Sequence, residues 1–161
     1  MLKKLKTPKA AATKGRFAIV AAKYNAHYVD SMLNGAEATL KAAGAKEVEI
    51  VRVPGAYEIP LVTAVLAGRD KQRFDAIICL GLILQGKTAH ANHIGEAITM
   101  ALTQIQLDYH IPVIHEVLLV NKEADAKVRC LDPKFNKGIE AAHAAIEMAG
   151  VMSGLGGCDC H

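Results

Sequence analysis

The sequence predicts an α/β fold in which one parallel sheet lies between helices on both faces. Two observations carry that expectation. Short apolar runs alternate along the chain with longer segments of helical period. The runs are also apolar at successive positions, as strands covered on both faces must be. No internal repeat and no linker interrupts the alternation, so one domain is expected.

The elements follow in order. RFAIVAA (16–22) is the first strand. From Val29, apolar residues recur at Leu33, Ala36, Leu40 and Ala43, the rhythm of one helix face, and Gly44 stops it. VEIVRVP (48–54) is the second strand, and EIPLVTAVLAG (58–68) a short helix ended by Gly68. FDAIICLGLIL (74–84) is the third and most hydrophobic strand. A long helix follows, with Ile94, Ile98, Ala101, Ile105 and Tyr109 on one stripe. PVIHEVLLV (112–120) is the fourth strand. Asp132-Pro133 reads as the start of a last helix carrying Phe135, Ile139, Ala142, Ile146 and Ala149, which leaves Arg129 and Cys130 in a loop. In such sheets a ligand binds beyond the carboxyl ends of the strands, near a switch in strand order. That directs attention to KYN after the first strand, PGAYE after the second and QGKTAH after the third.

Composition narrows the function. With 161 residues, 52% of them apolar, the chain can fill a single core. It has no run of eighteen apolar residues, so no membrane span is expected. Residues 1–14, MLKKLKTPKAAATK, read as a flexible basic tail, since no apolar h-region follows to make a secretory signal. Residues 15–153 form the domain and 154–161 a Gly/Cys tail. A net charge of +3 and 4% aromatic residues supply neither the basic stripe nor the stacking platforms of a nucleic-acid binder. Cys79 sits in an apolar run as a core residue. Cys158, Cys160 and His161 read either as a frayed tail with reduced thiols or as an incomplete soft-metal set. A cytoplasmic location is expected.

GLILQGKT (81–88) fits the phosphate-loop pattern G-x-x-x-x-G-K-S/T. The intervening Leu82, Ile83 and Leu84 are too bulky to wrap phosphates and belong to a strand, so a nucleotide triphosphatase is not expected. The local physics still suits an anion. Gly86 permits close backbone approach, the following helix offers free N–H groups and a positive dipole end, Lys87 adds charge and Thr88 a hydroxyl. His90 opens that helix, where an imidazole can move protons near neutral pH. Taken alone, a solvated histidine is an equal reading.

VPGAYEIP (53–60), then GLILQGKTAH (81–90), then NKGIEAAHAAIEMA (136–149) resemble the lumazine synthases of riboflavin synthesis, in order and spacing, over residues 16 to about 152. The resemblance implies a flavodoxin-like three-layer sandwich with a four-stranded parallel sheet and helices on both faces. It implies pentamers, in some members sixty-subunit shells, with active sites between subunits. It also implies a reaction without metal or organic cofactor. The 5-amino group of 5-amino-6-ribitylaminouracil condenses with the ketone of 3,4-dihydroxy-2-butanone 4-phosphate, phosphate leaves, and the ring closes to 6,7-dimethyl-8-ribityllumazine. Non-catalytic binding of a lumazine or flavin is the alternative, and retention of both His90 and Arg129 argues against it.

Carried over residue by residue, Tyr24 stacks on the pyrimidine beside Asn25. Ala56, Tyr57 and Glu58 hold the ribityl chain, and the backbone of Leu82, Ile83 and Leu84 reads the pyrimidine edge. His115 stands where the family carries an aromatic residue, often Phe. Gly86, Lys87 and Thr88 hold the phosphate, with the Arg129 guanidinium arriving from the adjacent subunit. Lys137 aligns with a lysine near the site and is equally readable as solvated. His90 is the general acid/base. Gln85 replaces a frequent Arg, and Ala91-Asn92 replace an aromatic and an acid. His90 and His93 lack a third partner for a metal, so none is expected. RCLDPKFNKG shows no insertion relative to shell-forming members.

Overall fold

The computed structural model describes residues 12–156. The basic stretch before Ala12 and the Cys158/Cys160/His161 group lie outside them. The elements are β1 (Arg16–Ala22), α1 (Ala26–Ala42), β2 (Glu47–Val53), a 3₁₀ turn (Ala56–Glu58), α2 (Ile59–Ala67), β3 (Ala76–Leu84), α3 (His90–Tyr109), β4 (Val113–Val120), α4 (Glu123–Leu131) and α5 (Lys137–Gly154). All strand pairs are parallel, in the order β2-β1-β3-β4. The chain steps outward from β1 to β2, then returns to β1's other side for β3 and β4. The order therefore reverses between β1 and β3, and a crevice opens there beyond the strand ends.

The two central strands explain why their sequences read as unbroken apolar runs. Phe17, Ile19 and Ala21 of β1 face one core with Met32, Leu40, Ala142 and Ile146 of α1 and α5. Ala18, Val20 and Ala22 face the other, with Ile59 and Leu66 of α2 and Ile98 and Leu102 of α3. Both predicted layers of helix are present. Among the described residues, no helix is long and apolar enough to cross a membrane.

Two expectations need correction. Arg129 and Cys130 do not lie in a loop; they sit on α4, and Cys130 is wholly buried. The helix is short, and its only buried residues are the small Ala126 and Cys130, so its apolar stripe is faint amid charge. The last helix does not start at Asp132-Pro133 either. Asp132 closes a turn, accepting from Lys134 N–H through Oδ1 (2.9 Å) and from Phe135 N–H through its carbonyl (3.0 Å). The helix starts at Lys137, capped by the Asn136 side chain. Phe135 consequently precedes the helix and is exposed.

Candidate functional site

At the reversal of strand order the chain forms a cavity of about 300 Å³. Its walls include Tyr24, Asn25, Ala56, Tyr57, Glu58, Leu82, Ile83 and Leu84, with Ala22, Gly55 and Ile94 completing them. Each of the predicted pyrimidine- and ribityl-binding residues except His115 is therefore brought to one place.

Sheet geometry supplies the polar edge. Pairing of β1 with β3 ends at Ala21 and Leu80, whereas β3 runs on to Leu84. Backbone groups of Leu82–Leu84 on that side have no strand partner, and such groups must find hydrogen bonds elsewhere. One is taken by Asn25, whose Nδ2 donates to Leu82 O at 2.7 Å. Asn25 holds a left-handed backbone (φ 56°), which asparagine tolerates better than most residues, and so turns the chain from β1 into α1. Arg52 secures the same corner: Nε and Nη2 donate to the Ala21 and Ala22 carbonyls at 3.2 and 3.1 Å, and Nη2 pairs with Asp30 at 2.7 Å. Sequence reading passed over Arg52, because as a strand residue it carried no motif.

Glu58 is held in place by its own loop. The Gly55 N–H donates to its Oε2 at 2.8 Å, leaving Oε1 for another donor. Tyr24 and Tyr57 stand 73% and 67% exposed at the rim, so their ring faces are open to a planar ligand.

Gly81 is a strand residue, as expected, and not a phosphate-loop glycine. A Cβ there would meet Val117 at 3.1 Å and Ile59 at 3.3 Å, so any side chain must push both neighbours aside. Gly86 differs: a Cβ would meet no atom of the chain within 4 Å, so the fold itself does not demand glycine there. Gly86, Lys87, Thr88 and His90 are exposed, outside the cavity's own walls. His90 is the first residue of α3, whose N-cap Ala89 offers no capping side chain. The first N–H groups of the helix therefore remain free for an anion. Ile94, one turn further on, lines the cavity, which puts His90 on the same helix face.

The other predicted residues lie apart from the cavity. His115, on edge strand β4, accepts from Val117 N–H at Nδ1 (3.1 Å). Its Nε2 therefore carries the proton and donates to Thr99 Oγ1 (2.8 Å), while Thr99 donates onward to Gly95 O (2.8 Å). Burial holds the His115 pKa below its ordinary value, consistent with that neutral tautomer. Glu116, the next residue, points to the opposite face of the sheet. There it lies within electrostatic range of Lys137, Glu140 and Arg129. Burial pushes the Glu116 carboxyl up to about 7, Lys137 and Arg129 pull it down, and Glu140 adds to the rise. Lys137 pairs with Glu140 at 2.7 Å. Arg129 makes no hydrogen bond or ion pair with another described residue. Sequence reading missed Glu116, although two-residue alternation along β4 separates its face from that of His115.

Comparison with known proteins agrees with this geometry. Residues 14–153 match the family model described as 6,7-dimethyl-8-ribityllumazine synthase. Proteins of that name from Stenotrophomonas maltophilia strains R551-3 and K279a are each 39% identical over 153 residues, covering 94% of this chain and 95% of theirs. One from Desulfotalea psychrophila is 38% identical over 142 residues, covering 87% and 90%.

Proposed function

We infer the reaction from kinship: this chain belongs to the 6,7-dimethyl-8-ribityllumazine synthase family. It is a transferase of riboflavin biosynthesis. It condenses 5-amino-6-(D-ribitylamino)uracil with 3,4-dihydroxy-2-butanone 4-phosphate, giving 6,7-dimethyl-8-ribityllumazine, phosphate and water. The observation that carries the reading is the single cavity shared by Tyr24, Ala56, Tyr57, Glu58 and Leu82–Leu84.

In this reading the pyrimidine lies against Tyr24, with its polar edge on the unpaired backbone of β3. The ribityl hydroxyls donate to the free oxygen of Glu58. The phosphoester sits at the opening of α3, on Lys87, Thr88 and the free N–H groups. His90 takes and returns the protons of imine formation and phosphate loss. Bringing two reactants into one cavity supplies much of the remaining acceleration. Arg129, Lys137 and His115 are proposed to reach this phosphate and pyrimidine from a neighbouring subunit. Their absence from the cavity walls and the lack of an ion-pair partner for Arg129 among the described residues support that arrangement. A pentamer, alone or in a sixty-subunit shell, is the proposed assembly, and the cytoplasm the proposed location.

The test is direct. Mixing the two substrates with enzyme should produce lumazine absorbance, and His90→Ala should lower kcat by about 10²-fold or more. An unchanged kcat in that variant would remove His90 from the chemistry.

A further inference from the structure

Asn136 is a polar side chain only 7% exposed. Its Oδ1 accepts from the Gly138 and Ile139 N–H groups, at 2.9 and 3.2 Å, and so caps α5. Its Nδ2 donates to the carbonyl of Cys130 at 2.6 Å, in the last turn of α4, and to the Ser31 carbonyl of α1 at 3.3 Å. Ser31 Oγ closes the knot by donating to the same Cys130 carbonyl at 2.7 Å. One amide thus joins three helices, and it must both accept and donate to do so. Among side chains of this size, only an amide presents both functions on a planar fork.

The surrounding backbone leaves the knot little freedom. A Cβ at Gly138 would lie 1.9 Å from Met32 O, and one at Gly35 would lie 3.1 Å from Asn136 Oδ1. Helices α1 and α5 therefore meet backbone to backbone at this point. Arg129 immediately precedes Cys130, and Lys137 immediately follows Asn136. The two cations sit on different helices, separated by the turn 132–135, yet each is one residue from the same knot.

We propose that Asn136 is the positioning residue of the phosphate clamp, fixing Arg129 on α4 and Lys137 on α5 relative to each other through the Cys130 carbonyl and the α5 cap. This rests on the reading of Arg129 and Lys137 as that clamp. The amide touches no substrate. It determines how well two charges on separate helices match one phosphoester.

The test is steady-state kinetics on the full-length enzyme, with each substrate varied in turn. Asn136→Asp keeps the cap but sets a carboxylate oxygen against the Cys130 carbonyl. It should raise KM for the butanone phosphate on the order of tenfold, while KM for the pyrimidine stays within about twofold. Ser31→Ala, which removes one arm of the knot and leaves the amide, should shift the same KM in the same direction by less. A merely structural role predicts instead that kcat falls with the folded fraction and that both KM values hold, and this result overturns the proposal. Arg129→Ala is the reference variant. If it leaves the phosphate KM unchanged, the clamp reading itself falls. If it raises that KM while Asn136→Asp and Ser31→Ala do not, only the positioning role falls.

Discussion

The two halves of the predicted site are built in opposite ways. The half at the ends of β1, β2 and β3 is a cavity, open at its rim, whose side chains are held in place: Asn25 by Leu82, Glu58 by Gly55, Arg52 by the β1 carbonyls. The half on β4, α4 and α5 is a set of charges in which Lys137 pairs with Glu140, while Arg129, with Glu116 in electrostatic range, makes no ion pair with a described residue. In the proposed reading, one half receives a flat, uncharged ring. The other supplies cations without a cavity of their own. We propose that the cavity half is complete within one chain, whereas the charged half, its two helices tied within the chain by Asn136, meets its phosphate across a subunit contact.

The strongest challenge to that division is a mixing experiment. His90→Ala and Arg129→Ala, assembled separately, should each lose activity by about 10²-fold or more. Dissociated and reassembled together, they should recover up to about a quarter of wild-type activity, the random chance that one interface joins two intact halves. No recovery would mean that each chain completes its own site, and the contrast between the halves would lose its functional meaning. Sedimentation of the purified protein tests the proposed pentamer or shell in the same preparation.

Much of this was legible in the sequence, for identifiable reasons. β1 and β3 announce themselves because both of their faces are buried and their residues are apolar without interruption. The cavity half was legible because its residues occupy short contiguous motifs at strand ends. α4 was not, since Ala126 and Cys130 bury little area and the intervening Lys127, Val128 and Arg129 are exposed or only half-buried. The start of α5 was misplaced because Asp132-Pro133 and Asn136 both carry helix-start chemistry. What selects Asn136 is partly non-local: its amide also donates to Ser31 of α1, a partner that no window around residue 136 contains.

The two glycines of the phosphate-loop pattern sharpen the comparison at smaller scale. Gly81→Val should cost about 1–3 kcal/mol by overpacking against Val117 and Ile59, read as a lower urea midpoint with unchanged slope. Gly86→Ala, which meets nothing in the chain, should stay within about 0.5 kcal/mol of wild type yet raise KM for the phosphate substrate. If Gly86→Ala proves as destabilising as Gly81→Val with kinetics intact, its glycine serves the fold and the phosphate assignment of that loop fails.

The smallest expected effect concerns two neighbours on β4. The Glu116 carboxyl, lifted to about 7 by burial and by Glu140 against the pull of Lys137 and Arg129, holds its proton more firmly in the folded chain than in the unfolded one. Its contribution to stability is full below the ordinary carboxyl range and is lost as pH rises through about 7. His115 acts with the opposite sign. Burial depresses its pKa, so its contribution is present above about pH 6.5 and is lost as pH falls through the depressed value. Between about pH 6.5 and about pH 7.5, Glu116 therefore contributes a fall in melting temperature with rising pH, and His115 contributes none. Glu116→Gln, which cannot ionise, should flatten that slope, and above pH 7 it should also modestly lower KM for the phosphate substrate by removing a negative charge near Arg129 and Lys137. Identical melting profiles for the two proteins across this window would mean that Glu116 is solvated and ordinary. The field around Arg129 and Lys137 would then be set by solvent and not by the burial of Glu116.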